Sequence, residues 1–322
     1  MIKRKVIIDT DPGHDDCIAI LLAARYFNIL GITTVYGNQT IGKTTKNVLK
    51  ILEFSNLTHI PVFRGSFYPI NQEVKYGSAI HGETGLDGPV LPDPKLEVQS
   101  KHAIDFIIET IMTTADVTLI AIGPLTNIAL AIHQEPRIKS HIHEISLMGG
   151  TFSIGNISPS VEFNIGLDPE AADIVFKSKI PLKMSSLDLT RQAKTTPEII
   201  ERFRKLGTKT SRIVTEILEF YSNQVFKLFG LVGASIHDAC SVAWLIDPTL
   251  IKSRKLHVDI ELKGKFTRGM TVCDLRNCTK LGQKIGGIGA IESIQPPNVD
   301  FGIELDVDSF FNLLIDAIFQ YP

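Results

Sequence analysis

The sequence predicts an α/β fold: an open, mostly parallel, Rossmann-like sheet flanked by helices, with a helical C-terminal part and a small antiparallel hairpin. Three observations lead there. Short runs rich in valine and isoleucine alternate with longer stretches of helical period through the first half of the chain, and unbroken apolar runs suit strands covered on both faces. The composition, 44% hydrophobic and 21% charged over 322 residues, is that of a packed globule. The 33 basic and 35 acidic side chains leave a formal charge of −2, without the basic surface that a nucleic-acid binder uses to displace counterions.

The strand candidates are Lys5–Ile8, Leu30–Val35, Ile60–Phe63, Val117–Ile122, Glu144–Met148 and Leu182–Met184. Between them the helical period recurs at Asp15–Tyr26, Thr40–Phe54, His102–Thr113, Asn127–His133 and Pro169–Lys177. A β, α, β, α order implies parallel strands joined by right-handed crossovers. After Thr196 the pattern turns helical, with Pro197–Lys205, a long Ser211–Phe229, an apolar helix after His237 and a closing Asp308–Phe319. His257–Glu261 and Thr267–Cys273 read as two antiparallel strands around a turn at Gly264. No repeat, low-complexity tract or linker divides the chain, so residues 1–322 read as one domain.

Four cysteines, Cys17, Cys240, Cys273 and Cys278, include no C-x-x-C pair and read as reduced, mostly buried thiols. The N-terminal apolar run Val6, Ile7, Ile8 is too short for a signal peptide, and no stretch approaches the ~20 apolar residues of a membrane helix. A cytoplasmic location without membrane partners is the expectation.

In open α/β sheets ligands bind beyond the carboxyl ends of the strands, and the chemistry-bearing residues gather there. Asp9, Asp11, Asp15 and Asp16 fall within DTDPGHDD directly after the first strand, and no Lys or Arg occurs between Asp9 and Ala24. Aspartates favour turns and helix starts, which accounts for one or two. Four so close repel unless a cation sits among them, and all-oxygen ligation suits Ca²⁺ or Mg²⁺. The spacing does not fit an EF-hand loop, because Gly13 and His14 stand where that loop needs a ligand and a glycine. Ser235-Ile-His-Asp238 before an apolar run reads either as a capping box or as a proton donor beside a metal ligand. Asn156, Glu162 and Asn164 follow the LMGG strand end, where amides and a carboxylate suit recognition of several hydroxyls. GPLTN at Gly123–Asn127 reads locally as a helix cap at Thr126, and the glycine-rich loop from Gly65 to Pro94 reads as a lid over a site.

DTDPGHDD after an N-terminal strand resembles the signature of the inosine-uridine preferring nucleoside hydrolase family, and further matches run in order across nearly the whole chain. The resemblance implies a nucleoside hydrolase-like domain, a calcium ion, a small-molecule ribonucleoside substrate and a homo-oligomer, a dimer or a tetramer. It places Asp11, Asp16, Asp238 and the backbone carbonyl of Thr126 on the metal, and Asp15 as the general base for an attacking water. His237 would protonate the leaving base. Asn156, Glu162 and Asn164 would bind ribose, with Met148 lining the sugar pocket, Asn38 in the active site and His81 in the lid near the base or 5′-hydroxyl. The sequence departs from some relatives in Tyr221–Gly230, where Phe226 and Phe229 stand in a stretch that often carries tyrosines facing the base. Both phenylalanines read either as base contacts or as helix core at i, i+3 spacing. Purine or pyrimidine preference stays open.

Two other readings compete. A D-x-D after a first strand also opens an aspartate-nucleophile phosphohydrolase, which needs a phosphoaspartate at Asp9 and magnesium. A calcium-stabilised nucleoside binder would hold substrate without consuming it, and would have no use for a base at Asp15.

Overall fold

A computed structural model describes residues 3–276 and 295–322. In chain order its elements are β1 Lys5–Thr10, α1 His14–Tyr26, β2 Asn28–Thr34, α2 Ile41–Phe54, β3 Val62–Arg64, α3 Ser78–His81, α4 Ala103–Thr113 and β4 Val117–Ala121. There follow α5 Thr126–Gln134, β5 Ile142–Met148, α6 Phe163–Leu167, α7 Pro169–Phe176, β6 Leu182–Ser185, α8 Leu187–Thr190, α9 Pro197–Arg204, α10 Lys209–Phe229 and α11 Asp238–Ile246. The chain closes with β7 Ile251–Leu256, β8 Val258–Ile260, β9 Thr271–Cys273, β10 Val299–Leu305 and α12 Val307–Phe319.

Eight strands form one sheet in the order β3-β2-β1-β4-β5-β6-β10-β7, and β8 and β9 form a separate antiparallel pair. The six first strands run parallel, β10 joins parallel to β6, and β7 is antiparallel at the edge. The chain winds outward from β1 through β2 to β3, then returns to the other side of β1 as β4. That reversal opens a crevice at the carboxyl ends of β1 and β4.

Alternation along β1 distributes its side chains between the two faces. Val6 and Ile8 pack with Ile18, Leu22, Val214, Trp244 and Phe310 on the face covered by α1, α10, α11 and α12. Ile7 packs with Ile107, Ile128 and Val175 on the face covered by α4, α5 and α7. Helix α1 is buried from His14 to Ala23 on every side, as expected of a helix roofed by others rather than facing water.

The structure adds what the sequence pattern did not yield. β7 and β10 fell in stretches assigned no element. β10 does carry a period-two signal, with Val299, Phe301, Ile303 and Leu305 apolar. β7 hides because Lys252 to Lys255 are exposed and polar, as on many edge strands. α3, α6 and α8 span only four or five residues, too few to show a period. α10 begins two residues earlier than read, where the Thr208 side chain accepts from Ser211 N–H as the N-cap. The hairpin is shorter than expected, Val258–Ile260 pairing with Thr271–Cys273.

Cys17 and Cys240 are buried free thiols and Cys273 is a half-buried one; Cys278 lies outside the described residues. No helix among the described residues is long and apolar enough to cross a membrane.

Candidate active site

β1 ends against the crevice, and Pro12-Gly13 turns the chain into α1. Asp16 sits in the first turn of that helix, where its carboxylate accepts from Gly13 N–H at 2.9 Å and Thr10 Oγ1 at 2.6 Å. Asp15 Oδ2 accepts from the backbone N–H of His237 at 3.1 Å, across 222 residues of chain. Asp15, Asp16 and Asp238 each place a carboxylate oxygen within 4.8 Å of the others. Asp11 lies beside them. Its Oδ2 accepts from Asn38 N–H at 2.7 Å, while its buried Oδ1 has no hydrogen-bond partner.

The four acids of DTDPGHDD therefore divide. Asp9 turns away, its Oδ1 accepting from Thr33 Oγ1 at 2.5 Å and Asn127 Nδ2 at 2.8 Å, and it lies 1% exposed outside the cavity lining. That placement withholds from the phosphohydrolase reading the accessible nucleophile it needs. Asp238 supplies the fourth carboxylate in place of Asp9. The capping-box alternative fails, because His237 occupies the N-cap of α11 with no side-chain cap bond, and Ser235 instead forms a β-bridge with Lys194.

Burial pushes the Asp15 carboxyl up to about 7, with the charge of Asp16 adding to it. Burial likewise raises Asp11, followed by the charge of Asp16, and raises Asp238, followed by Asp15, Asp16 and Asp11. No lysine or arginine is among the groups that oppose these shifts. Buried acids facing one another with one oxygen unpaired form a donor set of hard oxygens that fits a divalent cation.

Above the acids lies a cavity of about 460 Å³. Asp15, Asn38, His81, Met148, Asn156, Glu162, Asn164, Phe229, His237 and Asp238 all line it. Asp11, Asp16 and Thr126 do not; Asp11 and Asp16 both bond to Asn38 of the lining. Asn38 Nδ2 donates to Asp16 Oδ2 at 3.2 Å, tying the lining to the acids. Asn164 Nδ2 donates to the carbonyls of Ile122 and Met148, at the ends of β4 and β5. Thr126 is not the helix cap expected of it: Leu125 holds the N-cap position of α5, and Thr126 Oγ1 donates to Asp168 at 2.7 Å. His237 pairs through Nδ1 with Thr190 Oγ1 at 2.7 Å, and burial followed by the nearby Arg191 charge lowers its imidazole to about 4.

Glu162 caps α6, its carboxylate taking Gly150, Asn164 and Ile165 N–H at 2.9, 2.9 and 3.1 Å. Burial outweighs these donors and raises it from 4.5 to about 6. A raised folded-state pKa means that its contribution to stability is complete below about pH 4.5 and lost as pH rises through about pH 6. Glu162→Gln is expected to flatten that part of the Tm–pH curve, and an unchanged slope would remove Glu162 from the account.

Phe226 and Phe229 are 58% and 57% exposed, so the helix-core reading of both is wrong. Phe229 lines the cavity; Phe226 is not among the lining residues. Tyr221, at the start of the same stretch, is buried and also lines the cavity, so an aromatic hydroxyl is present after all. Arg191 and Lys194 line it too, and nothing local in the sequence marked them. Arg191 donates to the carbonyls of Ile154 and Gly155 at 2.7 and 2.8 Å, holding the loop that carries Asn156. His81 is 6% exposed and meets a second buried histidine, His14, that the sequence reading passed over.

Residues 6–312 match the model of the family described as inosine-uridine preferring nucleoside hydrolase. The chain belongs to this family. Over 324 aligned positions, covering all of this chain and 99% of the other, it is 41% identical to the pyrimidine-specific ribonucleoside hydrolase RihB of Escherichia coli. Its fold matches the purine-preferring ribonucleoside hydrolase from Gardnerella vaginalis with a TM-score of 0.88, 30% identity and 98% of each chain covered. The plant nucleoside hydrolase PpNRh1 superposes with a TM-score of 0.88 at 27% identity, over 98% of this chain and 99% of that one. The chain is thus a ribonucleoside hydrolase, an enzyme of N-glycosyl bonds, with a nucleoside as its small-molecule substrate. The cavity lining suits a nucleoside hydrolase in being mixed: acids and amides share it with Val225, Phe229 and Leu231, from the close of α10 and just beyond it.

Proposed function

We propose that this nucleoside hydrolase releases ribose from pyrimidine ribonucleosides with the help of a calcium ion. The observation that carries the reading is the convergence of Asp15, Asp16 and Asp238 beside the unpartnered oxygen of Asp11, at a nucleoside-sized cavity. Asp11, Asp16, Asp238 and the Thr126 carbonyl would hold the ion. When bound, it supplies positive charge that offsets the carboxylates and makes nearby water more acidic.

The chain's own groups divide the remaining work. Asp15, oriented by the His237 N–H, takes the proton from the attacking water. Asn156, Glu162 and Asn164 pair with ribose hydroxyls, which both donate and accept, while Asn38 joins the sugar site to the acids and Met148 packs against the ring. Holding the sugar rigidly matters because the bond breaks through an oxocarbenium-like state. The base lies against Phe229 with His237 beside it; burial keeps the free imidazole neutral, so His237 passes a proton to the departing base only after bound substrate has raised its affinity for one. Water enters from the opposite face, so C1′ inverts.

The pyrimidine preference is supported by the 41% identity to a relative named for it, against 30% to the purine-preferring structure. The same reading makes the chain one domain of a cytoplasmic homo-oligomer, dimer or tetramer, as the family likeness implies. The test is ribose release from uridine, cytidine, inosine and adenosine, before and after chelation. Release is expected to stop on chelation and to return with calcium, with uridine and cytidine ahead by about tenfold or more. Folded protein that frees no sugar from any of the four would end this reading.

A further inference from the structure

We propose that Arg191 is a positioning residue for ribose binding: its guanidinium grips two successive carbonyls of the loop that carries Asn156, and so sets where the Asn156 amide meets the sugar. The inference rests on the nucleoside-hydrolase reading above, in which Asn156 pairs with a ribose hydroxyl, and extends it to a residue given no role there.

Asn156 has no hold of its own. Its side chain lines the cavity, is exposed, and has no hydrogen-bond partner among the described residues. The backbone around it bonds within the loop, residues 151–161. Gly155 N–H donates to the Pro159 carbonyl at 3.1 Å, and the N–H groups of Asn156 and Ile157 donate to the Val161 carbonyl at 3.0 and 3.2 Å. The turn is tight, since a Cβ on Gly155 would stand 2.3 Å from the Ser158 carbonyl oxygen and 2.4 Å from Val161 N. Ile154 is 66% exposed, so the loop does not gain its place by burying that side chain. A unit bonded to itself needs an outside tie to fix it over the cavity.

Arg191 is that tie. Its terminal nitrogens donate to the Ile154 carbonyl at 2.7 Å and the Gly155 carbonyl at 2.8 Å. Among the described residues, no other side chain from outside the loop hydrogen-bonds to residues 154–158. A planar fork of donors matches two neighbouring carbonyls, where a lysine would offer one point of charge. Arg191 is held in turn by α8, in which Leu187 and Leu189 are buried and Leu187 N–H donates to the Gly150 carbonyl at 2.9 Å. Asp188 of the same helix grips the near part of the loop, accepting from Phe152 N–H at 2.9 Å and Thr151 Oγ1 at 3.0 Å. Thr190 meets His237 at 2.7 Å, and Ile236 N–H donates to the Ala193 carbonyl at 2.9 Å. Residues 187–193 thus brace the ribose loop on one side and the turn bearing His237 and Asp238 on the other.

The test is uridine kinetics on Arg191→Met, Arg191→Lys and Asn156→Ala, singly and combined. Arg191→Met keeps an unbranched stem without the fork, and is expected to raise KM about tenfold while kcat moves less than about threefold. Arg191→Lys is expected to fall between that variant and the unaltered protein. In the Asn156→Ala background Arg191→Met is expected to change KM by less than about twofold, because the group it positions is gone. An unchanged KM in folded Arg191→Met overturns the inference. So does a tenfold rise repeated in full without the Asn156 amide, which would make Arg191 a direct contact to the nucleoside or a general brace of the fold. Should Arg191→Met not fold, Arg191→Lys and its combination with Asn156→Ala decide by the same two criteria. Failure of the hydrolase reading looks different, as absence of ribose release by the unaltered protein.

Discussion

Asp15→Asn is expected to lower kcat by about 10²–10⁴-fold, the usual worth of a positioned general base, while nucleoside affinity stays within about threefold. The asparagine side chain keeps an oxygen to accept the His237 N–H that Asp15 accepts at 3.1 Å, so the junction between α1 and α11 survives. What disappears is the capacity to take a proton. Single-turnover ribose release and equilibrium binding of uridine, measured on the same preparation, separate the two effects. Turnover near the native rate would transfer the base to another group. Equal losses in binding and turnover would instead mark Asp15 as a cation ligand, a possibility that its place in the Asp15, Asp16, Asp238 group makes concrete.

The second large effect comes from a residue with no side chain. A Cβ on Gly37 would overlap Asp11 Oδ2 and stand 2.8 Å from its Cγ. Asp11 is wholly buried and bounded on its other side by Gly123, where an added Cβ would come within 2.6 Å of Oδ1. It cannot yield without leaving its place beside Asp15 and Asp16, where the proposed cation would sit. Gly37→Ala is expected to weaken calcium binding and to cost more than about 10²-fold in kcat/KM, since small displacements of catalytic groups are expensive. Gly42→Ala is the matched comparison: in α2, with nothing within 4 Å of its added Cβ, it should leave activity intact and raise stability by about 0.5–1 kcal/mol. Calcium titration and thermal melts on both variants check the pair, and a fully active Gly37→Ala would show the cradle to be slack.

These cases show which parts of the site could be read without coordinates. β1 to β6 were legible from short apolar runs, richest in valine and isoleucine in β1 and β4, because both faces of the sheet are covered. The acids after β1 were conspicuous because charge without counter-charge is rare in so short a stretch. Other assignments depended on a partner far along the chain. Nothing near Asp9 says that Thr33 and Asn127 will claim it, and Ser235-Ile-His-Asp238 looks like a capping box until Asp238 is seen facing Asp15 and Asp16. Phe226 and Phe229 have core spacing, yet α10 runs past the body of the protein and leaves its last turn exposed. His14 stands inside DTDPGHDD, yet the motif says nothing of where its ring points. Its meaning lies in the ring of His81, 67 residues later.

The bond from His237 N–H to Asp15 spans 222 residues and has a consequence for how the enzyme comes into being. On a ribosome, DTDPGHDD emerges well before α11, which packs on α1 and brings Asp238. Closing a loop of that length costs on the order of 5 kcal/mol in chain entropy, recovered only when α1 is buried beneath α10, α11 and α12. Until then the acids stay hydrated and apart. A nascent chain halted before α11 therefore holds β1 to β6 but not Asp238, so the proposed cation site is completed only when α11 docks.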